Sequence, residues 1–416
     1  MPDLVLLTDG FPFDGYESVL ASELDVTAER FDQIFIIPHR SGKRLRQLPP
    51  NAVVVDLGWS AGWPRQAKVR ALASRAALRV LGTTLNHASN WPAYRSDARA
   101  YLDILATNVL KARRLEEWLN QSGVREAVFY DFWFENSTLA MALLRRSGAI
   151  RMAVSRAHRF DIYDECWKGG RVPFREFKVR NLDGVFAISE HGVRYLLARL
   201  NSHRAGLRHH QPKIRLARLG VPSANSYPVG VAEPPLIVSC AYLSARKRVH
   251  LLPEVLSACG RRLRWSHFGD GPERSRVEAA ASALPGEVSW TLHGSVDNAD
   301  LQTYYRTHKV SAFVSLSESE GIPVSMMEAQ RFGIPIVALA VGGVPEIVTD
   351  ETGLLVEPDA PVTDLVDALQ RALVPDSFDP ERIRAAFTAR YDASSNYGSF
   401  ADDLLSLWGA NSAHRL

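Results

Sequence analysis

The sequence predicts an α/β protein built as two doubly wound halves, each a parallel sheet flanked by helices. Three observations predict it. Short apolar runs alternate with longer amphipathic stretches from Leu4 to Phe332, the rhythm of parallel strands joined by crossover helices. That rhythm breaks once, between Glu190 and Glu233, where seven Lys or Arg and no acid occur. The Pro-, Gly- and Ser-rich stretch 222–235 inside the gap reads as a domain edge. The length of 416 residues suits two or three domains of ordinary size.

Each element follows from local pattern. Residues 4–8 form a first strand, because four apolar residues, Leu4-Val5-Leu6-Leu7, follow an acidic start directly. A helix over about 16–29 follows, then strands over 33–38 and 53–57. The long amphipathic stretch 102–119 is a helix, and 127–130, 152–155 and 184–188 are further strands. After the gap, strands are predicted at 236–241, 263–268, 288–293, 310–316 and 336–340. Helices are predicted at 251–258, 273–284 and 325–332. In doubly wound sheets ligands bind outside the carboxyl ends of the strands. Two such sheets facing one another would place the active site in the cleft between them.

Composition narrows the function classes. Forty-nine Lys and Arg face 46 Asp and Glu, so the net charge of +3 gives no nucleic-acid footprint. Cys166, Cys240 and Cys259 are far apart and form neither a disulfide framework nor a zinc motif, which fits a reducing cytosol. No apolar run reaches the length of a membrane span, and the N-terminus has no signal-peptide pattern. The chain is therefore expected in the cytoplasm. Residues 64–81 carry Arg65, Lys68, Arg70, Arg75 and Arg79 without an acid. As one helix they would set Arg65, Lys68, Arg75 and Arg79 on one face, and Val69, Leu72, Ala73, Ala76 and Val80 on another. That suits either a solvated helix packed on its own domain or contact with the inner face of an anionic membrane. The basic stretch 204–218 reads as a solvated loop.

The chemistry concentrates in residues 317–330. Glu320 lies at the turn after a strand, and Glu328 lies eight positions on, one turn into the next helix. A strand, a Gly-containing turn and a helix start with Pro323 make an anion site, since free N–H groups and the helix dipole point at the turn. Acids also favour helix starts for purely structural reasons, so spacing alone leaves both readings open.

The run Glu320-x7-Glu328, Gly333-Ile334-Pro335-Ile336-Val337, Gly342-Gly343-Val344-Pro345-Glu346-Ile347-Val348 and Thr352-Gly353-Leu354-Leu355-Val356 resembles the signature of retaining GT-B glycosyltransferases of family 4. Phe268-Gly269-Asp270-Gly271-Pro272-Glu273 and His293-Gly294-Ser295-Val296 resemble its nucleotide-side turns, and Arg246-Lys247-Arg248 its basic loop. In the first half, Thr8-Asp9-Gly10-Phe11-Pro12, Gly15-Tyr16-Glu17 and Ser155-Arg156-Ala157-His158-Arg159-Phe160-Asp161 resemble loops of enzymes that build bacterial capsular, exopolysaccharide and colanic-acid-type chains.

The resemblance implies a GT-B fold, two Rossmann-like domains facing across a cleft. The first would span 1–221, with the C-terminal helix 392–416 crossing back to it, and the donor-binding domain would span 222–391. It implies a retaining, metal-independent hexosyltransferase in cell-surface polysaccharide or glycolipid synthesis. The donor would be a UDP- or GDP-linked sugar and the acceptor a saccharide or a lipid-linked one, with no cofactor and no metal. The absence of an Asp-x-Asp triplet agrees. Glu328 would hold the ribose hydroxyls and Glu320 the donor sugar, a task suited to carboxylates that accept from two hydroxyls. Lys247, with Arg248, would neutralise the diphosphate, since Tyr242 stands where many relatives carry Arg. Gly321, Val324 and Ser325 would meet diphosphate or sugar through backbone N–H groups, and Gly269, Gly294 and Val296 would line the base pocket. His158 would contact the donor sugar near the reacting carbon. Asp161 would contact the acceptor or orient nearby groups, and Gly15 and Glu17 would serve the acceptor or support the first loop. Nucleotide-sugar epimerisation and a non-catalytic sugar-nucleotide-binding partner are the alternatives.

Overall fold

The computed structural model describes all residues except 14–16, 43–45, 86–90, 125, 136, 202–207, 225, 229–231 and 414–416. The chain divides into two units, Met1–Arg218 with Ser394–Leu416, and Leu219–Ala393.

In the first unit the strands are β1 (Asp3–Thr8), β2 (Ile34–Pro38), β3 (Ala52–Val54), β4 (Ala127–Asp131), β5 (Met152–Ala157), β6 (Gly184–Ala187) and β7 (Ile214–Leu216). Their order is β3-β2-β1-β4-β5-β6-β7, and every pairing is parallel. The strands read as continuous apolar runs because both faces are covered. Val5 and Leu7 pack on one face, with Leu105, Val109 and Leu115 of the helix Ala98–Ser122. Leu4 and Leu6, one position out of phase, pack on the other with Phe400 and Leu404 of the C-terminal helix Ala393–Ala413. Phe400 also stands edge-on to Tyr130 of β4 and Phe186 of β6. Removing that helix would therefore expose one face of this sheet.

The second unit contains β8 (Leu236–Cys240), β9 (Leu263–Phe268), β10 (Val288–Leu292), β11 (Ala312–Ser315), β12 (Ile336–Leu339) and β13 (Gly353–Val356). The order is β10-β9-β8-β11-β12-β13, again all parallel. Both sheets thus reverse direction of winding beside their first strand, between β1 and β4 and between β8 and β11. Loops that leave those strands diverge, which opens a crevice suited to a ligand.

The units divide at 218/219 and 393/394, within three residues of the expected 221/222 and 391/392, and Val221 pairs with Asp392 inside the second unit. Two expectations are corrected. The stretch 64–81 is two helices, Arg65–Leu72 and Arg75–Leu85. Ser74 interrupts it: its hydroxyl donates to the Ala71 carbonyl at 2.6 Å and accepts from the Ala77 N–H, a side-chain competition that ends helices. The single cationic face is therefore not formed. Ala71, Ala77 and Val80 are core, Val69 is exposed, and Lys68 pairs with Asp103 at 2.7 Å. Finally, the described part of 204–218 contains a 3-10 turn, Arg208–Lys213, and the edge strand β7, not only loop.

Candidate functional site

In the second unit the site assembles where the loops after β8 and β11 meet. After β8 the chain makes a 3-10 turn, Ala245–Lys247. After β11 it runs through Glu318 and Glu320 into the helix Val324–Gln330, with Pro323 just ahead of its first turn. The loops are laced together: the Glu318 N–H donates to the Arg246 carbonyl at 2.9 Å, and the Arg246 guanidinium donates to the Ser319 carbonyl at 2.7 Å. Between them the Lys247 ammonium donates to the Glu320 carboxylate, and Arg246 lies 3.8 Å from its other oxygen. Glu320 is almost fully buried, so its charge requires these cations.

The Gly342-Gly343 run packs against the main chain of Glu320. Gly342 has φ +55°, and a Cβ there would lie 1.9 Å from the Glu320 carbonyl oxygen. Only glycine fits. One turn into the helix, Glu328 is buried and accepts from the Asn298 amide. Burial raises its carboxyl above the usual range, against the Asn298 hydrogen bond. Gly321 is buried at the turn, and Val324 and Ser325 begin the helix half-buried, where the first N–H groups have no partner within it. At the next strand exit, the Gly269 N–H donates to the Gly294 carbonyl at 2.8 Å. Gly269 has φ +134°, and a Cβ there would lie 2.0 Å from the Ala241 carbonyl oxygen. Val296 is half-buried just ahead of the Asn298–Thr307 helix.

In the first unit the parts gather at the ends of β1, β4 and β5. Glu17 is buried and is the hub of the first loop. Its carboxylate accepts from the backbone N–H groups of Asp9 and Gly10 at 2.9 Å and Phe11 at 2.6 Å, and from the Trp133 indole at 2.7 Å. It therefore supports the loop, while Gly15 lies outside the described residues. The His158 ring stands 4.4 Å from the Trp133 ring and 4.8 Å from the Phe132 ring. His158 Nε2 is 3.0 Å from the Phe132 carbonyl. A carbonyl only accepts, so Nε2 carries the proton and Nδ1 is the acceptor. Burial, reinforced by the Arg156 charge, holds this imidazole down at about 3, so it stays neutral.

Asp161 is fully buried. Its oxygens accept from the His158 N–H at 2.6 Å and the Phe134 N–H at 2.7 Å. Burial pushes it up to about 7. These two contacts tie the His158 loop to the β4 exit.

The structure brings Lys247 to Glu320, and it also changes the expected cast. Arg246 is the second cation at Glu320. Arg248 instead turns the chain with φ +51°. Asn298 and Trp133 were not among the predicted residues. Asn298 lies 30 positions before Glu328, and Trp133 lies 116 after Glu17, so no local spacing announces either contact.

Residues 234–374 match the family model for glycosyl transferases group 1. The structure superposes on sucrose-phosphate synthase from Thermosynechococcus elongatus with a TM-score of 0.70, at 17% identity, over 99% of this chain and 100% of that one. The fold is GT-B. A second GT-B neighbour is Anabaena HepE in complex with UDP and glucose, with a TM-score of 0.64 at 14% identity over 98% of this chain and 100% of that one. Among curated proteins, 166 residues, 39% of this chain, are 30% identical to the sulfoquinovosyl transferase SQD2 of Arabidopsis thaliana. The chain spans only 30% of that relative's length.

Proposed function

We propose that the chain is a glycosyltransferase that moves a hexosyl unit from a nucleotide diphosphate sugar to a saccharide or lipid-linked acceptor, with retention of configuration. One observation carries the reading: Lys247, Arg246 and Glu320 meet at the β8/β11 exits, within the segment that matches the glycosyl transferases group 1 model. The ammonium of Lys247 has three donors. It can keep Glu320 and still meet a diphosphate oxygen, offsetting charge that grows as the leaving group departs. Glu328 would hold the ribose hydroxyls, and the free oxygen capacity of Glu320 the sugar hydroxyls.

In the step we favour, the bond from the anomeric carbon to the diphosphate oxygen breaks as the acceptor oxygen bonds on the same face. The acceptor's proton passes to the departing phosphate. His158, neutral at working pH, would serve as a hydrogen-bond partner to the sugar and not as an acid. No metal takes part in this scheme. No helix among the described residues is long and apolar enough to cross a membrane.

A panel of UDP- and GDP-sugars, followed for turnover with and without acceptor and for the anomer formed, tests the reading. A glycoside with the donor's configuration is expected. An isomerised nucleotide sugar formed without acceptor would make the chain an epimerase, and binding without turnover a non-catalytic partner.

A further inference from the structure

Glu17 and His158 belong to separate loops of the first unit, and Trp133 touches both. Its indole Nε1 donates to the Glu17 carboxylate at 2.7 Å. Its ring stands 4.4 Å from the His158 ring at a tilt of 41°. Trp133 is half-buried at the β4 exit, and its carbonyl accepts from the Thr138 hydroxyl at 2.8 Å. The main chain is thereby tied to the start of the helix Thr138–Ser147, which leaves the side-chain torsions to be set by what the indole meets.

Those torsions bear on the imidazole. The bond from His158 Nε2 to the Phe132 carbonyl, at 3.0 Å, sets where that nitrogen lies. The tilt of the ring plane is then set by the Trp133 ring and by the Phe132 ring, 4.8 Å away at 51°. These two rings also meet edge-on, 5.4 Å apart at 88°, so each limits the others. Aromatic packing of this kind prefers certain angles but holds them softly. The Nε1 bond to Glu17 holds the indole plane more firmly, because a bond to a carboxylate is among the strong ones. Glu17 is itself fixed by the backbone N–H groups of Asp9, Gly10 and Phe11. One buried carboxylate thus orders residues 9–11 and, through the indole, the ring beside His158.

We propose that Trp133 is a positioning residue for His158, and that Glu17 acts through it, so that residues 9–11 and the imidazole take up their places together. The inference rests on the glycosyltransferase reading in taking His158 to meet the donor sugar. Displacing a group by about 1 Å near the reacting atoms can cost about a hundredfold in rate. The loss should fall on turnover and not on nucleotide binding, since Lys247, Glu320 and Glu328 belong to the other unit.

Steady-state kinetics on the full chain test it, with whichever nucleotide sugar of the UDP and GDP panel the wild type turns over. Trp133→Phe keeps an aromatic ring and loses the N–H. It should lower kcat about tenfold to a hundredfold and leave the donor KM within about twofold. In a His158→Phe background the same substitution should change kcat by less than about twofold, because a residue acting through His158 has nothing left to position. Glu17→Gln alters neither ring. It should lower kcat with the same dependence on His158, and it keeps the proposal falsifiable if Trp133→Phe folds poorly. Unchanged kcat in either variant, or an equal loss with and without His158, overturns the proposal. So does a raised KM at unchanged kcat for Trp133→Phe, which would make Trp133 a substrate contact in its own right.

A second readout needs no turnover. In chain labelled with 15N-histidine, the His158 ring signals are identified by their absence from His158→Phe. Glu17→Gln should shift them with no nucleotide present, and unmoved signals overturn the link. A wild-type chain that turns over no member of the panel rejects the glycosyltransferase reading, and the His158 signals then decide the positioning link alone.

Discussion

Lys247 and Glu320 hold one another at the meeting of the β8 and β11 loops, 73 positions apart in sequence. Neither group is well placed alone, since Glu320 is buried and Lys247 largely so. A double-mutant cycle with Lys247→Met and Glu320→Gln should show coupling of about 1–2 kcal/mol in chemical unfolding. In calorimetry, Lys247→Met should weaken binding of nucleotide diphosphates, while Glu320→Gln should leave the nucleotide bound and weaken the sugar-bearing donor. Additive stabilities would mean the pair is not a functional unit in the folded chain.

Glu328 and Asn298 form the second test. Asn298 supplies a donor to a carboxylate otherwise pushed up by burial. If Glu328 grips two hydroxyls, Glu328→Ala should cost nucleoside diphosphate affinity on the order of tenfold to a hundredfold. Asn298→Ala should cost less, since it removes only a hydrogen bond that steadies the carboxylate. A larger loss for Asn298→Ala would make Asn298 the gripping residue.

His158 predicts a pH dependence. Its folded value lies at about 3 against an ordinary 6.5. A histidine depressed in this way stays neutral when folded but takes a proton when unfolded. Stability tied to it is therefore complete above about 6.5 and is lost as pH falls from there toward 3. Asp161, raised to about 7, acts oppositely: its burial favours the folded state at low pH and loses that advantage as pH rises toward 7. The difference between wild type and His158→Phe isolates the histidine. Urea unfolding across pH 3 to 7 should give a shallower acid loss for His158→Phe. The same variant should lose turnover but keep nucleotide affinity.

Much of this architecture is legible in the sequence because it is local. β1 and β8 carry apolar runs, Leu4–Leu7 and Leu236–Val238, since burial on both faces favours them, and β5 and β9 show enough apolar residues to be read despite Arg156, Arg264 and His267. β7 and β13 escape that reading: one is three residues flanked by Lys213 and holding Arg215, the other four residues beginning at Gly353. The break at Ser74 escapes too, because the apolar spacing runs through it and only a hydroxyl marks it. Glu320 and Glu328 are visible from their spacing and neighbours. Their partners are not, since Arg246, Lys247 and Asn298 reach them by tertiary contact and periodicity carries no record of which loops will meet. Asp161 shows the same limit: its acid is plain in the sequence, but its use in clamping two backbone N–H groups depends on the position of Phe134.

The Gly-Gly run offers the last test. A Cβ at Gly342 would press into the Glu320 carbonyl, in a left-handed backbone that disfavours side chains. Gly342→Ala must therefore shift the Glu320 turn or the run itself. Gly286 provides the control, having no atom within 4 Å of a built Cβ. Gly342→Ala should destabilise the chain by about 2 kcal/mol or more and cut donor affinity roughly as Glu320→Gln does, since a shift of the Glu320 main chain carries its carboxylate with it. Gly286→Ala should change neither. Thermal unfolding and donor calorimetry on the two variants decide it. If Gly342→Ala loses stability but keeps full donor affinity, the position of the Glu320 carboxylate is not what the donor reads.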